Sequence, residues 1–195
     1  MDTHNLNLDS LSFFPVTPER WMDFENLFGK RGACGGCWCM FWRQKRSDFE
    51  QMKGDVNRQL MQSLVASGEV PGILGYAGDK PFGWVSVGPR KSFSTLERSR
   101  ILKPVDDQEV WSVVCFFVDK SYRRQGLTVS LLRAAVDYAR RCGASIVEGY
   151  PYEQTGGLSP DPFVYTGLLS AFQKAGFSEV MRRSAKRPIV RYIIE

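Results

Sequence analysis

Residues 118–128 read VDKSYRRQGLT, a short polar loop between two apolar patterns of different period. On its N-terminal side, residues 110–118 (VWSVVCFFV) are almost continuously apolar, as in a central strand covered on both faces. On its C-terminal side, Leu127, Leu131, Ala135, Tyr138 and Cys142 recur at helical spacing, and Gly143 supplies a stop. The first amides of such a helix have no internal partners and carry the positive end of its dipole, so they form an anion site. Gly126 lets the backbone approach an anion with no side chain in the way, and Arg123 and Arg124 add positive charge beside it.

The flanking sequence supplies further strands and helices. Residues 13–16 read as a first strand, and Pro15 places it at a sheet edge. Thr17 and Pro18 open a helix in which Trp21, Phe24 and Phe28 recur up to Gly29. Ser47 to Glu50 forms a capping box, and the helix it starts carries Phe49, Met52, Val56, Leu60 and Leu64 on one face across Gly54. Residues 73–77 and 82–87 form a hairpin around Gly78-Asp79-Lys80-Pro81. Residues 90–100 are polar and irregular or briefly helical, residues 145–148 make another strand, and a helix ends near Gly176. Two strands near residues 177–181 and 188–194 close the chain. This order predicts an α/β fold with a mixed, mostly antiparallel sheet and helices on both faces.

The length of 195 residues, with 43% hydrophobic and 24% charged, is that of one soluble globular domain spanning 1–195, with an N-terminal extension and a Cys/Trp-rich loop at 30–42. No apolar run approaches the ~18 residues of a membrane span. The start, MDTHNLNLDS, has neither the basic nor the apolar region of a signal peptide, which predicts a cytoplasmic chain with its five cysteines reduced. The net charge of +5 suits an anionic partner, which can be nucleic acid, a membrane surface or a polyphosphate cofactor. The basic groups are scattered and no nucleic-acid recognition motif is visible, so a nucleic-acid-binding module is the lesser reading.

Two blocks carry a resemblance to a known family. Arg123-x-x-Gly126-Leu127-Thr128 resembles the acyl-CoA pyrophosphate motif of GNAT acetyltransferases, Q/R-x-x-G-x-G/A, departing from it at Thr128. Phe172-Gln173-Lys174-Ala175-Gly176-Phe177 resembles the family's late Y-x-K-x-G-F block, which closes the helix beside the pantetheine. The resemblance covers roughly residues 70 to 185. It implies a GNAT fold, acetyl-CoA as acyl donor and an amine of a small molecule or peptide as acceptor, with no metal, and it is compatible with a homodimer. It also implies that main-chain groups of Phe116, Phe117 and Val118 hold the thioester, and that Arg123, Arg124, Gln125, Gly126, Leu127, Thr128 and Val129 surround the pyrophosphate.

Amide formation from a thioester needs a proton acceptor for the amine, support for the oxyanion and a proton for the departing thiolate. Where many relatives carry a basic glutamate, this chain has Trp111 and Ser112, and Glu109 could act only through water. Glu148, at the end of the next strand, is the better candidate for the base. Phe172 stands where relatives place the proton-donating tyrosine, so the donor is expected to be Tyr165, seven residues earlier, or a water it orders. Tyr165 shares a helix face with Phe172 if the helix begins at Asp161-Pro162, and lies in the loop before it if the helix begins at Thr166. The missing tyrosine also fits an acyl-CoA-binding regulator without turnover.

Cys34-x-x-Cys37-x-Cys39 has zinc-like spacing but no second pair to complete four ligands, and the sole histidine, His4, lies at the far terminus. The cluster is read as packing thiols, and no histidine partner is visible for a nucleophile. Trp38, Phe41 and Trp42 read as a satellite core, or as a wall of the acceptor pocket.

Overall fold

The computed structural model describes residues 11–154 and 164–195. His4 and the Asp161-Pro162 helix start lie outside the described residues. Seven strands form one sheet in the order β1-β2-β3-β4-β5-β7-β6. They are β1 (Leu11–Pro15), β2 (Gly72–Ala77), β3 (Lys80–Pro89), β4 (Trp111–Val118), β5 (Ile146–Gly149), β6 (Ser178–Arg182) and β7 (Pro188–Ile193). Every neighbouring pair is antiparallel except β4 and β5. That exception follows from the connection, because a parallel neighbour needs a crossover and helix α5 (Leu127–Arg141) provides it.

The remaining helices are α1 (Trp21–Phe28), α2 (Arg46–Met52), α3 (Asp55–Ala66), the short α4 (Ser94–Glu97) and α6 (Leu169–Lys174). Each sheet face has its own core. Leu127, Leu131, Leu132, Ala135, Val136 and Ala139 of α5 pack with Phe172 on Val85, Val113, Phe116 and Val147. On the other face α1, α3 and the loop at 37–41 cover Leu74, Tyr76 and Trp84. A third cluster joins Phe93, Leu96 and Leu102 to Val114, Tyr150 and Ile189, so the segment after β3 covers the centre of the sheet. Among the described residues no helix is long and apolar enough to cross a membrane.

Three expectations change. The helix expected from Ser47 onward is broken at Gly54, which takes a φ of +89° and donates its N–H to Gly36 O at 2.9 Å. The break resets the helical phase. Asn57, Met61 and Val65 therefore face inward, while Val56 and Leu60 are 45% and 37% exposed. The capping box does not form either: Lys45 is the N-cap, and the Ser47 hydroxyl donates to Asp48 Oδ1 at 2.8 Å. At the C-terminal end of α5, Cys142 is exposed because the helix stops at Arg141.

Candidate active site

The site grows out of an irregularity in β4. Ser86 pairs with Cys115 and Val87 pairs with Val113, so Val114 is an extra residue and β4 bulges there. Beyond the bulge β4 parts from β5. Their parallel ladder covers only Trp111 to Val113 against Val147 to Gly149. A gap follows on the β5 side of residues 116–118.

Residues 165–169 border this gap. Tyr152, continuing past β5, donates its N–H to Gly167 O at 2.8 Å and accepts from Leu169 N at 3.0 Å. Across the gap, Phe116 N–H donates to Tyr165 O at 2.7 Å. Phe116 therefore turns a backbone amide toward the gap, but that amide is paired with Tyr165.

At the same, C-terminal end of β4 the chain passes through a short loop into α5. A short helical turn at Lys120–Tyr122 is capped by Asp119, whose Oδ1 accepts from Ser121 N at 3.0 Å. Arg123 Nε donates to Val118 O at 2.9 Å, which ties the loop back to the strand. Arg124 takes a φ of 63° and Gly126 a φ of 76°, left-handed conformations that turn the chain abruptly into α5. No carbonyl of a described residue accepts from the N–H groups of Gln125, Gly126, Leu127 or Thr128. A Cβ at Gly126 would meet nothing within 4 Å of any described residue, so the chain is open to its surroundings at that turn. Arg124, Gln125 and Gly126 are exposed, while Leu127 is buried and anchors the helix start. Val129 is already turned into the helix, its N–H donating to Gly126 O at 2.9 Å.

The structure buries Glu148, the candidate base. Its side chain is only 1% exposed and sits in a network of charges. Oε1 accepts from Arg90 Nη1 at 3.1 Å and from the Tyr150 hydroxyl at 2.7 Å, and Oε2 accepts from Arg191 Nε at 2.9 Å. Arg191 also grips Asp106 with both Nη atoms, and the Tyr150 hydroxyl lies 2.9 Å from Ser112 Oγ. A general base must meet the proton it takes. This carboxylate instead meets two guanidiniums and a phenol, which makes it the anionic hub of a buried network.

Tyr165 lies in the loop before α6, since that helix begins only at Leu169. Its ring packs edge-on against Phe41 at 6.3 Å and tilted against Trp42 at 6.4 Å. Burial, and then the neighbouring Cys115, hold its phenol well above the usual tyrosine range. It is therefore a neutral hydroxyl that holds its proton more tightly than an ordinary phenol. Phe172 is fully buried, with its ring edge-on to Phe116 at 6.0 Å and to Phe177 at 5.0 Å. Its place is in the core between β4 and α6.

The Cys/Trp-rich loop meets the bulge from the opposite face. Cys39, Cys37 and Cys115 share one neighbourhood with Phe41 and Phe117, and Trp84 Nε1 donates to Cys39 Sγ at 3.2 Å. Among the described residues no group of three or more His, Cys, Asp or Glu side chains could hold a metal ion.

Arg90 was missed by sequence reasoning. It is buried, and besides Glu148 and Tyr150 it reaches Leu102 O at 2.7 Å and Glu97 at 2.9 Å. The only sequence signal is an arginine directly after an apolar strand, which does not distinguish a buried ion pair from a surface charge.

A family model described as the acetyltransferase (GNAT) family matches residues 37–150. No curated protein matches the chain. Among solved structures, a GNAT-family acetyltransferase from Streptococcus agalactiae is similar at 13% identity, with a TM-score of 0.57 and 98% and 99% of the two chains covered. The paiA N-acetyltransferase from Thermoplasma acidophilum in complex with coenzyme A is similar at 12% identity and a TM-score of 0.52, covering 95% of this chain and 99% of that one. YncA from Salmonella typhimurium, with its cofactor acetyl-CoA, is similar at 12% identity and a TM-score of 0.53, covering 95% of each chain. At such identities the likeness is one of fold.

Proposed function

The chain belongs to the acetyltransferase (GNAT) family, and on that premise we propose that it transfers an acetyl group from acetyl-CoA to an amine of a small molecule or peptide. The observation that carries this reading is the unit of bulged β4, basic loop and α5. Its amides at residues 125–128, from which no carbonyl of a described residue accepts, stand at the start of α5 beside the open turn at Gly126, and a cofactor diphosphate has the charge and size for them. The geometry fits the donor: Gly126 leaves room for a phosphate, and Arg123, Arg124, Gln125, Leu127, Thr128 and Val129 line the turn. Bound there, acetyl-CoA supplies an activated thioester. The main chain of Phe116, Phe117 and Val118 then borders its path, and Phe116 N–H becomes a donor for the acetyl carbonyl once Tyr165 O releases it. Phe172 keeps the inner wall of the gap apolar. Tyr165, a neutral phenol beside the gap, gives the proton to the departing thiolate. The aromatic wall of Phe41, Trp42 and Tyr165 supports an acceptor site on the face opposite α5.

Calorimetric titration with acetyl-CoA tests the reading. Gly126→Glu brings bulk and negative charge to the amides and is expected to weaken binding by at least about a hundredfold. Unchanged affinity in that variant would overturn the site.

A further inference from the structure

Where β4 and β5 part, the segment before α6 stands between them. Tyr152, just past β5, forms an isolated parallel bridge with Leu168. Through it Tyr152 N–H donates to Gly167 O at 2.8 Å, and Tyr152 O accepts from Leu169 N at 3.0 Å. On the opposite side Tyr165 O accepts from Phe116 N at 2.7 Å. Residues 165–169 therefore pair with β4 on one side and with the continuation of β5 on the other, as an inserted strand would. The hold is lopsided among the described residues, with both bonds of the bridge on Tyr152 and a single bond on Phe116.

Side chains fix where that single bond falls. Thr166, next to Tyr165, is fully buried, and its Oγ1 accepts from Arg187 Nη1 at 2.6 Å. The Arg187 guanidinium also lies 5.5 Å over the Tyr152 ring, so one side chain from the β6–β7 loop reaches both partners of the bridge. Gly167 takes a φ of +85°, and a Cβ there would meet Phe172 at 2.8 Å and Phe116 at 3.0 Å, so its backbone lies against the wall of the gap. Arg187, Thr166 and the turn at Gly167 together hold the Tyr165 carbonyl toward Phe116.

An amide N–H has one proton, and at such a distance it is committed to one acceptor. In the proposed transfer the acetyl carbonyl needs that same proton. We propose that residues 165–167 are a resident competitor for acetyl-CoA: the Tyr165 carbonyl occupies the Phe116 amide until the thioester carbonyl replaces it. Arg187, acting through Thr166, sets how firmly it holds and is a positioning residue. A lone amide–carbonyl bond is weak enough to exchange for another of its kind. The apparent affinity for acetyl-CoA is then the intrinsic affinity scaled by the fraction of molecules whose amide is free, so a looser hold means tighter binding. The inference rests on the acetyl-transfer reading and adds to it a contact that restrains the site.

The test follows the scalar coupling across the hydrogen bond between the Phe116 amide nitrogen and the Tyr165 carbonyl carbon, in the whole chain, free and titrated with acetyl-CoA. The free chain should show the coupling and the saturated chain should lose it. Thr166→Val removes the pinned oxygen at nearly constant volume, and Arg187→Ala removes the pin. Each should weaken the coupling in the free chain and lower the Kd for acetyl-CoA at least about threefold. Arg187→Lys, which keeps a cation in reach of Thr166, should return Kd toward the wild-type value. The gain should appear in KM for acetyl-CoA rather than in kcat, whereas a merely structural role would lower stability without tightening binding. No coupling in the free chain, a coupling that persists at saturation, or variants that bind no tighter than the wild type would overturn the competition and leave acetyl-CoA binding standing. If neither the wild type nor the loosened variants bind acetyl-CoA, the acetyl-transfer reading falls and the competition with it.

Discussion

Glu148 faces Ser112 on β4 and Arg191 on β7 in the sheet register, and Arg90 closes over it from the end of β3. Removing its charge leaves two buried guanidiniums short of an anion, whereas removing the Tyr165 hydroxyl touches only the proton supply in the proposed transfer. The two positions therefore separate in a paired measurement. Glu148→Gln is expected to lower stability by about 3 kcal/mol in urea unfolding, while the folded fraction keeps kcat within a few-fold. Tyr165→Phe is expected to keep the wild-type midpoint and lose kcat by at least about tenfold. The opposite pattern would return Glu148 to the chemistry and leave Tyr165 as packing.

At the scale of elements, the junction of β5 with α6 sets the gap. Gly149 ends β5, and a Cβ there would come within 2.1 Å of Phe172 Cε1. The ring fills the space that a side chain would take, and Gly167 meets the same ring from the loop. Gly149→Ala is expected to cost about 1–3 kcal/mol through overpacking. Combined with Phe172→Leu, which removes the ring, it should cost clearly less than the two single changes added together. Strict additivity in urea unfolding would mean that the helix shifts as a body instead. Most elements were legible because their apolar period is local: β4, α5 and the β2–β3 hairpin follow their patterns closely. The face of α3 was not, because one glycine held by Gly36 across the loop resets its phase.

For the whole molecule, several carboxylates are held below their ordinary range by partners that exist only in the fold. Arg191 lowers Asp106, Ser121 lowers Asp119, and Arg182 lowers Glu179. A depressed folded value stabilises above the unfolded pKa of about 4 and loses that contribution as pH falls through the folded value. The urea midpoint should therefore stay level, as far as these groups set it, from about pH 7 to 5 and drop below about 4. Asp106→Asn should make the acid drop shallower. An equally steep drop in that variant would show that the Arg191 pair is not coupled to folding.

The sequence by itself determined the unit of strand, loop and helix, because periodicity, a glycine and an uncapped helix start are properties of neighbouring residues. It also marked the helix start at Arg123 to Val129, where the proposed anion site lies, for the same reason. Only the tertiary structure decided what surrounds Glu148, Arg90, Tyr165 and the thiols. A carboxylate after Ser-Ile-Val reads the same whether it faces a substrate or two arginines, and Arg90 lies 58 positions away from it. The carbonyl of Tyr165 on Phe116 and the packing of Cys39 and Cys115 into one cluster join distant segments. Such contacts depend on register and on where loops land, and chain neighbours do not encode them.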